Sequence, residues 1–284
     1  MIDRLKRSLT MAFGIVTGVF TFVPETVFGK YEWVSEKAIS EIDYLKSTAG
    51  EVNIIISRVF TFLFIWIVCC LIYSGFLWLR CYTEIKGNNY AIRIEYGDIL
   101  KKKKCRRVIN FDECFTTEVG GNVGDISPTS ICGQYLTQNP NIDMQKLIRD
   151  SNLVPLQRKS KYNQLTCYQP GSIVPCGDDL LMAFAPLDEN GRGGFHSRKE
   201  YLECLSKLWE EIDKYFEPKD VCIPLLGAGR THFESSSGAS YSSQELLDII
   251  INSYKLSSCK IKSPYKLRIV VKKNVGISLD KISN

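Results

Sequence analysis

The chain has 284 residues, 45% apolar and 24% charged, a composition that excludes a disordered tail or a collagen-like polymer, and at about 150 residues per domain its length allows roughly two units. A net charge of +5 is too mild to argue for a nucleic-acid partner. Eleven scattered cysteines with no C-x-x-C pair argue against a disulfide framework and for reduced thiols in a cytosolic compartment, and two histidines, His196 and His232, give no zinc-ligand spacing.

The first element is an apolar stretch over about residues 9–29, SLTMAFGIVTGVFTFVPETVFG from Ser8 to Gly29, carrying only Glu25 and Pro24 as interruptions. Its continuous apolar part, Leu9–Val23, is only 15 residues; Arg4, Lys6 and Arg7 precede it, but no small-x-small cleavage site follows, so a short transmembrane helix is expected rather than a signal peptide, with an interfacial or re-entrant helix as the alternative. The linker Lys30–Glu51 has three basic and five acidic residues, and an amphipathic helix around Val34–Leu45 is one reading of it. Val59–Leu79, VFTFLFIWIVCCLIYSGFLWL, is uncharged and bracketed by Arg58 and Arg80. At about 1.5 Å per residue this second helix reaches about 30 Å, the thickness of a hydrocarbon core, and Trp78 beside Arg80 suits an interfacial anchor. Nine basic residues between Arg80 and Arg107 face only Glu84, Glu95 and Asp98, so both ends of the hairpin are expected in the cytoplasm with the linker outside. The run Lys101–Arg107 reads equally as a contact with anionic lipid or as a solvated basic loop.

Residues 82–284 read as a globular domain. Strands are expected near Tyr90–Tyr96, Arg106–Phe111, Leu165–Tyr168, Leu180–Ala185, Val221–Leu225 and Leu267–Lys272, and helices near Ser130–Leu136, 143–150, Ser197–Phe216 and Ser242–Tyr254. In the third helix Tyr201, Leu205, Leu208, Trp209 and Ile212 recur at three- and four-residue steps, with Ser197 as N-cap and Glu200 completing a capping box. Strands alternating with helices predict a layered α/β sheet.

Three loops carry the candidate chemistry. Pro224–Thr231 (PLLGAGRT) is a buried strand running into a glycine-rich turn, a pattern that lets backbone N–H groups approach an anion, with Arg230 to pair with it. Val119–Ile126 (VGGNVGDI) leads to Ser130, where a helix N-terminus makes a second anion site. Each alone is equally a plain turn; two of them in one domain point to a pyrophosphate held between them. Asp98, in Gly97-Asp98-Ile99 at a strand end, is either a turn aspartate or an acceptor for an exocyclic amine. The polar loop Asp188–Arg192 reads as turn chemistry or as a cover over the site. Cys114 has no histidine arranged to activate it, and no catalytic residue is expected.

A strand ending Gly-Asp-Ile, a glycine-rich loop after the next strand and a late Pro-x-x-Gly-x-Gly loop together resemble a macro domain, a mixed sheet in an α/β/α sandwich. The wording INFDECFTTEVG, DISPTSICGQYL, LLMAFAPLDENGRG and IPLLGAGRTHF, behind two apolar segments, is similar to the divergent macro domain joined to two transmembrane helices in type II Thoeris anti-phage systems, over about residues 82–275. This resemblance implies an inner-membrane effector without enzyme activity or cofactor. Its ligand would be an ADP-ribose derivative, histidine-ADP-ribose in that branch, made from NAD by a partner TIR-domain enzyme. Binding would drive homo-oligomerisation, and the membrane part would damage the bilayer and abort the infection. A membrane-tethered ADP-ribosyl hydrolase and a passive tether for ADP-ribosylated proteins are the alternatives. The same resemblance places Asp98 and Ile99 at the adenine, and Asp112, Glu113, Cys114 and Phe115 by the distal ribose. Gly124, Asp125, Ile126, Ser130, Ile131 and Gly133 then match the first diphosphate loop, and Leu226, Gly227, Ala228, Gly229 and Arg230 the second. Where ordinary macro domains carry an Asn-Ala-Ala-Asn segment, this chain reads Asn110-Phe111-Asp112-Glu113, which argues against hydrolase chemistry and leaves room for a substituent beyond the distal ribose.

Overall fold

The computed structural model describes residues 2–30, 33, 49–79, 81–122, 124–229, 231–233, 241–273, 275–279 and 282. The chain divides into two compact units, Met1–Arg80 and Cys81–Asn284. The linker pattern at Val34–Leu45 falls outside the described residues.

In the first unit, helix α1 runs Ile2–Phe22, the one-turn helix α2 Glu25–Phe28, and helix α3 Ala49–Leu79. The expected single helix over residues 9–29 is therefore corrected: Pro24, whose ring denies the chain a backbone donor, ends α1 and stands as N-cap of α2. The second helix starts ten residues earlier than its uncharged run, because the preceding AGEVNIIISR, itself carrying Val52 and Ile54–Ile56, is helical too. Within the described residues one helix, Glu51–Gly75, is long and apolar enough to cross a membrane, with mean hydropathy 2.5, and Leu9–Phe22 is a shorter apolar helix. Phe13 packs edge-on against Phe62 with ring centroids 5.9 Å apart. Arg58 lies inside the long apolar helix. It pairs with Glu25 at 2.7 Å, and its guanidinium faces the Phe20 and Phe28 rings.

The second unit is built on a seven-stranded mixed sheet. Its strands are β1 Tyr82–Gly87, β2 Tyr90–Tyr96, β3 Cys105–Asp112, β6 Ile173–Cys176, β7 Asp179–Ala185, β9 Asp220–Pro224 and β11 Leu267–Val271; β4 Pro155–Lys159 and β5 Thr166–Tyr168 form a hairpin, and the short β8 Gly194–Phe195 and β10 His232–Phe233 pair with each other. The sheet order is β1-β2-β11-β9-β3-β7-β6, with the five inner strands parallel and both edges antiparallel. Period-two alternation along β7 divides the interior. Leu180, Met182 and Phe184 enter the core under helices α6 Arg198–Lys214 and α7 Ser243–Leu256, whereas Leu181 and Ala183 enter the core under α4 Ile131–Gln138 and α5 Met144–Asp150. Every residue of β7 is buried, as expected of a parallel strand covered on both faces.

The expected strands and helices of this unit appear within a few residues of their predicted ends, and β1, β4, β6, β8 and β10 are added to them. The capping box expected at Ser197 is corrected. The Ser197 hydroxyl accepts from the Glu200 N–H, but the Glu200 carboxylate accepts from His196 instead of Ser197. The full box stands at Ser242 and Glu245, ahead of α7.

The basic run Lys101–Arg107 proves divided. Lys102 pairs with Glu95 at 2.7 Å, Arg106 donates to the carbonyls of Tyr215 and Gly177, and Arg107 makes two bonds to Asp179, leaving Lys101, Lys103 and Lys104 as its exposed cations. Glu95, buried on β2, also accepts from Arg268 at 2.6 Å. Burial alone would raise its carboxyl, but Lys102 and Arg268 outweigh that and hold it below its ordinary value of 4.5. A carboxyl depressed on folding adds stability above its unfolded value and loses it as pH falls through the folded one. The native chain should therefore weaken as pH drops below about 4.5. Glu95→Gln should lose about 1.5–3 kcal/mol at pH 7 and show a flatter acid limb, read from urea unfolding between pH 3 and 7; an unchanged limb would overturn this account.

Candidate functional site

The carboxyl ends of the parallel strands β3, β7, β9 and β11 open into a cleft of about 1030 Å³, the place where open α/β sheets bind ligands. Three backbone loops and one helix terminus shape it.

The first loop is closed on itself. Ile126 N–H donates to Glu118 O at 2.9 Å, Gly120 N–H to Ile126 O at 3.2 Å, and Asp125 Oδ2 accepts from Asn122 N–H at 2.9 Å. Gly124 adopts φ +87°, a conformation that favours glycine. The loop leads to Ser130, which caps α4 by accepting from Gly133 N–H at 2.9 Å. Ser130, Ile131 and Cys132 then bring a helix N-terminus, with its partial positive charge, to the cleft wall.

The second loop leaves β9. Gly227 has φ +85°, and a methyl group there would meet the Phe233 ring at 2.8 Å; a methyl group on Gly229 would meet none of the described residues within 4 Å. Leu226 is buried, and its carbonyl accepts from the Tyr201 hydroxyl at 3.0 Å, which pins the loop to α6.

The third loop, after β7, is also self-bonded. Asp188 Oδ1 accepts from the N–H groups of Asn190 and Arg192, both at 2.8 Å. Of the two readings open for this segment, the structure supports the cover, since Asn190, Gly191, Arg192 and Gly193 line the cleft. Arg192 and Lys272 bring exposed cationic groups to it, and Phe111, Leu225 and Val270 supply apolar wall.

Of the residues expected at the site, Asp112, Gly124, Asp125, Ile126, Ser130, Ile131, Gly227, Ala228 and Gly229 line this cleft. Seven do not, each for a definite reason. Asp98 caps the turn Ile99–Lys101, accepting from Leu100 N–H at 3.0 Å, and Ile99 is buried behind it. Glu113 is fully buried and ion-paired with Arg158 at 2.6 Å, and it accepts from Leu187 N–H at 3.2 Å. Cys114 faces Cys167 with 3.7 Å between sulfurs. Phe115 belongs to the core under α4. Gly133 presses on the Ser127 carbonyl so closely that any side chain would collide, and Leu226 is turned inward as described above. Arg230 lies outside the described residues. Asn110, Ser127, Thr129, Arg192, Lys272 and Val275 join the wall without having been assigned to it; Asn110, next to the quoted strand end, was the most readable of them.

Asp112 is less free than its sequence position suggests. Its Oδ1 accepts from the N–H groups of Cys114 at 2.8 Å and Thr116 at 3.2 Å, and its Oδ2 from the Thr116 hydroxyl. Burial nonetheless raises its carboxyl above the ordinary range. Among the described residues one cluster, Glu113, Cys114 and Cys167, brings enough ligand atoms together for a metal ion. It suits one poorly: Arg158 already neutralises the carboxylate, and burial pushes both thiols up, away from the ligating thiolate. The same shift disfavours Cys114 as a nucleophile.

Comparison with known proteins gives a consistent context. The family model "Thoeris protein ThsA, Macro domain" matches residues 92–272. Thoeris protein ThsA of Bacillus amyloliquefaciens (strain Y2) is 29% identical over 197 residues, covering 66% of this chain and 64% of that protein, so the chain matches just under two thirds of that relative's length. Among solved structures, an Oceanobacillus iheyensis macrodomain mutant aligns with TM-score 0.41 at 11% identity, over 69% of this chain and 91% of that one. A second mutant of that macrodomain, with ADPR, aligns with TM-score 0.41 at 10% identity, over 68% and 91%.

Proposed function

The chain belongs to the Thoeris ThsA macro-domain family, and on that premise we propose that residues 81–284 bind an ADP-ribose-derived signal while the N-terminal helices hold the chain in a bilayer. The observation that carries this reading is the cleft itself. Two glycine loops and a capped helix N-terminus converge on it with two exposed cations, and apolar wall lies beside them. Such a set offers N–H donors and positive charge to a diphosphate and an apolar surface to a base.

In this proposal a partner TIR-domain enzyme makes the signal from NAD during infection, and histidine-ADP-ribose is the expected form. The chain acts as receptor and effector, not as an enzyme, in the inner membrane. The buried environment of Cys114 and the engagement of Asp112 by Thr116 support a binding role. The exposed apolar side chains of the first unit, among them Phe13, Phe22, Ile55, Phe64, Ile67 and Leu71, support a lipid environment for both helices. Binding would favour an oligomer whose clustered helices breach the bilayer. Moving a population from 1:99 to 99:1 requires about 5.5 kcal/mol of preference for the assembled state, which a ligand clamped between two loops can supply.

The test uses the full chain in vesicles loaded with a self-quenching dye. Calorimetry with ADP-ribose and histidine-ADP-ribose should show saturable binding, tighter for the conjugate, and the conjugate should trigger leakage. Absence of binding by either nucleotide would overturn the reading of the cleft. Binding without leakage or change of oligomeric state would leave a receptor and remove the effector role, and turnover of either nucleotide would make the protein an enzyme.

A further inference from the structure

Three segments far apart in sequence meet at one aromatic ring. Tyr162 sits at the tip of the β4–β5 hairpin. Its ring lies against Gly124 of the first cleft loop so closely that a side chain there would collide with it. A methyl group on Gly191 of the third loop would come within 3.1 Å of the same ring and 3.0 Å of the Gly124 Cα. Both glycines have positive φ, +87° and +72°, and both line the cleft, whereas Tyr162 stands behind them.

The hairpin that presents Tyr162 is tied to the end of β3 and closed at its tip, and Tyr162 itself is partly exposed. Tyr168 N–H donates to Glu113 O at 2.8 Å, and Arg158 pairs with the Glu113 carboxylate. At the tip, Ser160 is fully buried, its N–H bonds to Leu165 O at 3.0 Å, and its hydroxyl accepts from Tyr162 N–H at 3.3 Å. The two cleft loops are mostly glycine and short polar residues here and have little side chain of their own to pack on one another. The ring supplies that packing.

We propose that Tyr162 is a positioning residue that clasps the first and third loops together and so preorganises the cleft for the diphosphate end of its ligand. This rests on the reading that the cleft takes an ADP-ribose-type nucleotide. Loops already held in the bound arrangement lose less freedom on binding, and the gain appears mainly in the dissociation rate.

The experiment compares the full chain in detergent with Tyr162→Ala and Tyr162→Phe variants. Amide hydrogen exchange over residues 119–126 and 187–193 is followed without ligand, and ADP-ribose association and dissociation are followed by surface plasmon resonance. In the alanine variant both loops should exchange about tenfold faster and ADP-ribose should leave about tenfold faster, with association and melting temperature nearly unchanged. Phenylalanine should restore both. Unchanged exchange and dissociation in Tyr162→Ala would overturn the clasp, as would a phenylalanine variant that behaves like alanine. If the wild type binds no ADP-ribose, the ligand reading of the cleft fails, and the exchange comparison still decides whether the ring holds the loops.

Discussion

Gly229→Glu is expected to abolish nucleotide binding while leaving the fold intact. Gly229 lines the cleft, its φ is not in the left-handed region, and among the described residues a Cβ added there meets nothing within 4 Å. The first side-chain carbon of a glutamate therefore meets none of the described residues, and its carboxylate brings a negative charge to where the diphosphate is proposed to sit. Juxtaposed like charges at a binding site cost several kcal/mol, so affinity should fall at least about 100-fold. Gly229→Ala, which adds the same Cβ without the charge, should stay within about threefold of wild type because the added methyl group has room. Gly227 is unsuitable for this test. Its φ is +85°, and a methyl group there would stand 2.8 Å from the Phe233 ring, so any side chain disturbs fold and site together. Calorimetry of both Gly229 variants, beside their melting curves, checks the claim. Full binding by Gly229→Glu would remove the second loop from the site.

Glu113→Ala is expected to destabilise the second unit by about 3 kcal/mol, the lower end of the usual cost of removing one partner of a buried ion pair. The lower end applies because Glu113 is fully buried but the Arg158 side chain is 48% exposed and can turn to water. The change also leaves Leu187 N–H without its acceptor and frees the β4–β5 hairpin from one of its ties to the end of β3. At about 2–4 °C per kcal/mol for a unit of this size, the melting temperature should drop by roughly 10 °C. Pairing Glu113→Ala with Arg158→Met should recover part of the loss, since the uncompensated charge is then removed. The prediction separates two roles for this carboxylate. A ligand contact would lose affinity with little change in melting; a structural keystone does the reverse. Thermal unfolding of the full chain in detergent decides between them, and a loss under about 1 kcal/mol would show that the ion pair contributes little.

The misplacement of Glu113 has a physical cause that no spacing rule reveals. Along β3 the pairing with β7 runs one to one through Phe111↔Ala183 and then slips, so that Asp112 stands opposite Ala185. The unpaired residue, Phe184, is on β7, so the alternation along β3 itself is undisturbed; β3 ends at Asp112 and the chain turns there, with Phe115 N–H donating to Asp112 O at 3.3 Å and Phe115 at φ +53°. Asn110 and Asp112 reach the cleft, and Glu113, Cys114 and Phe115 turn into buried packing. The same segment read as a string offers these side chains as equal candidates. The expected 9–29 helix is split for a simpler reason: its continuous apolar part, Leu9–Val23, is helical through Phe22, but Pro24 separates it from the short helix Glu25–Phe28.

By itself the sequence determined what depends on neighbours along the chain. The strand at Leu180–Ala185, the helix over Ser197–Phe216 and the glycine turns at 119–126 and 226–229 are local patterns of period, volume and backbone freedom, and each lies within a few residues of where its pattern says, whereas the helix expected over Val59–Leu79 begins at Ala49. Only the tertiary structure decided which charges remain available. Lys102, Arg106 and Arg107 look like a surface stripe in the sequence but are taken up by Glu95, the carbonyls of Tyr215 and Gly177, and Asp179, whereas the cations that reach the cleft, Arg192 and Lys272, come from separate strand ends. Tyr162, well separated in sequence from both Gly124 and Gly191, shows the same rule. Ion pairs and ring contacts form between whatever the sheet order brings together, and that order, with β11 between β2 and β9, joins strands far apart in the chain while both faces of the sheet are buried.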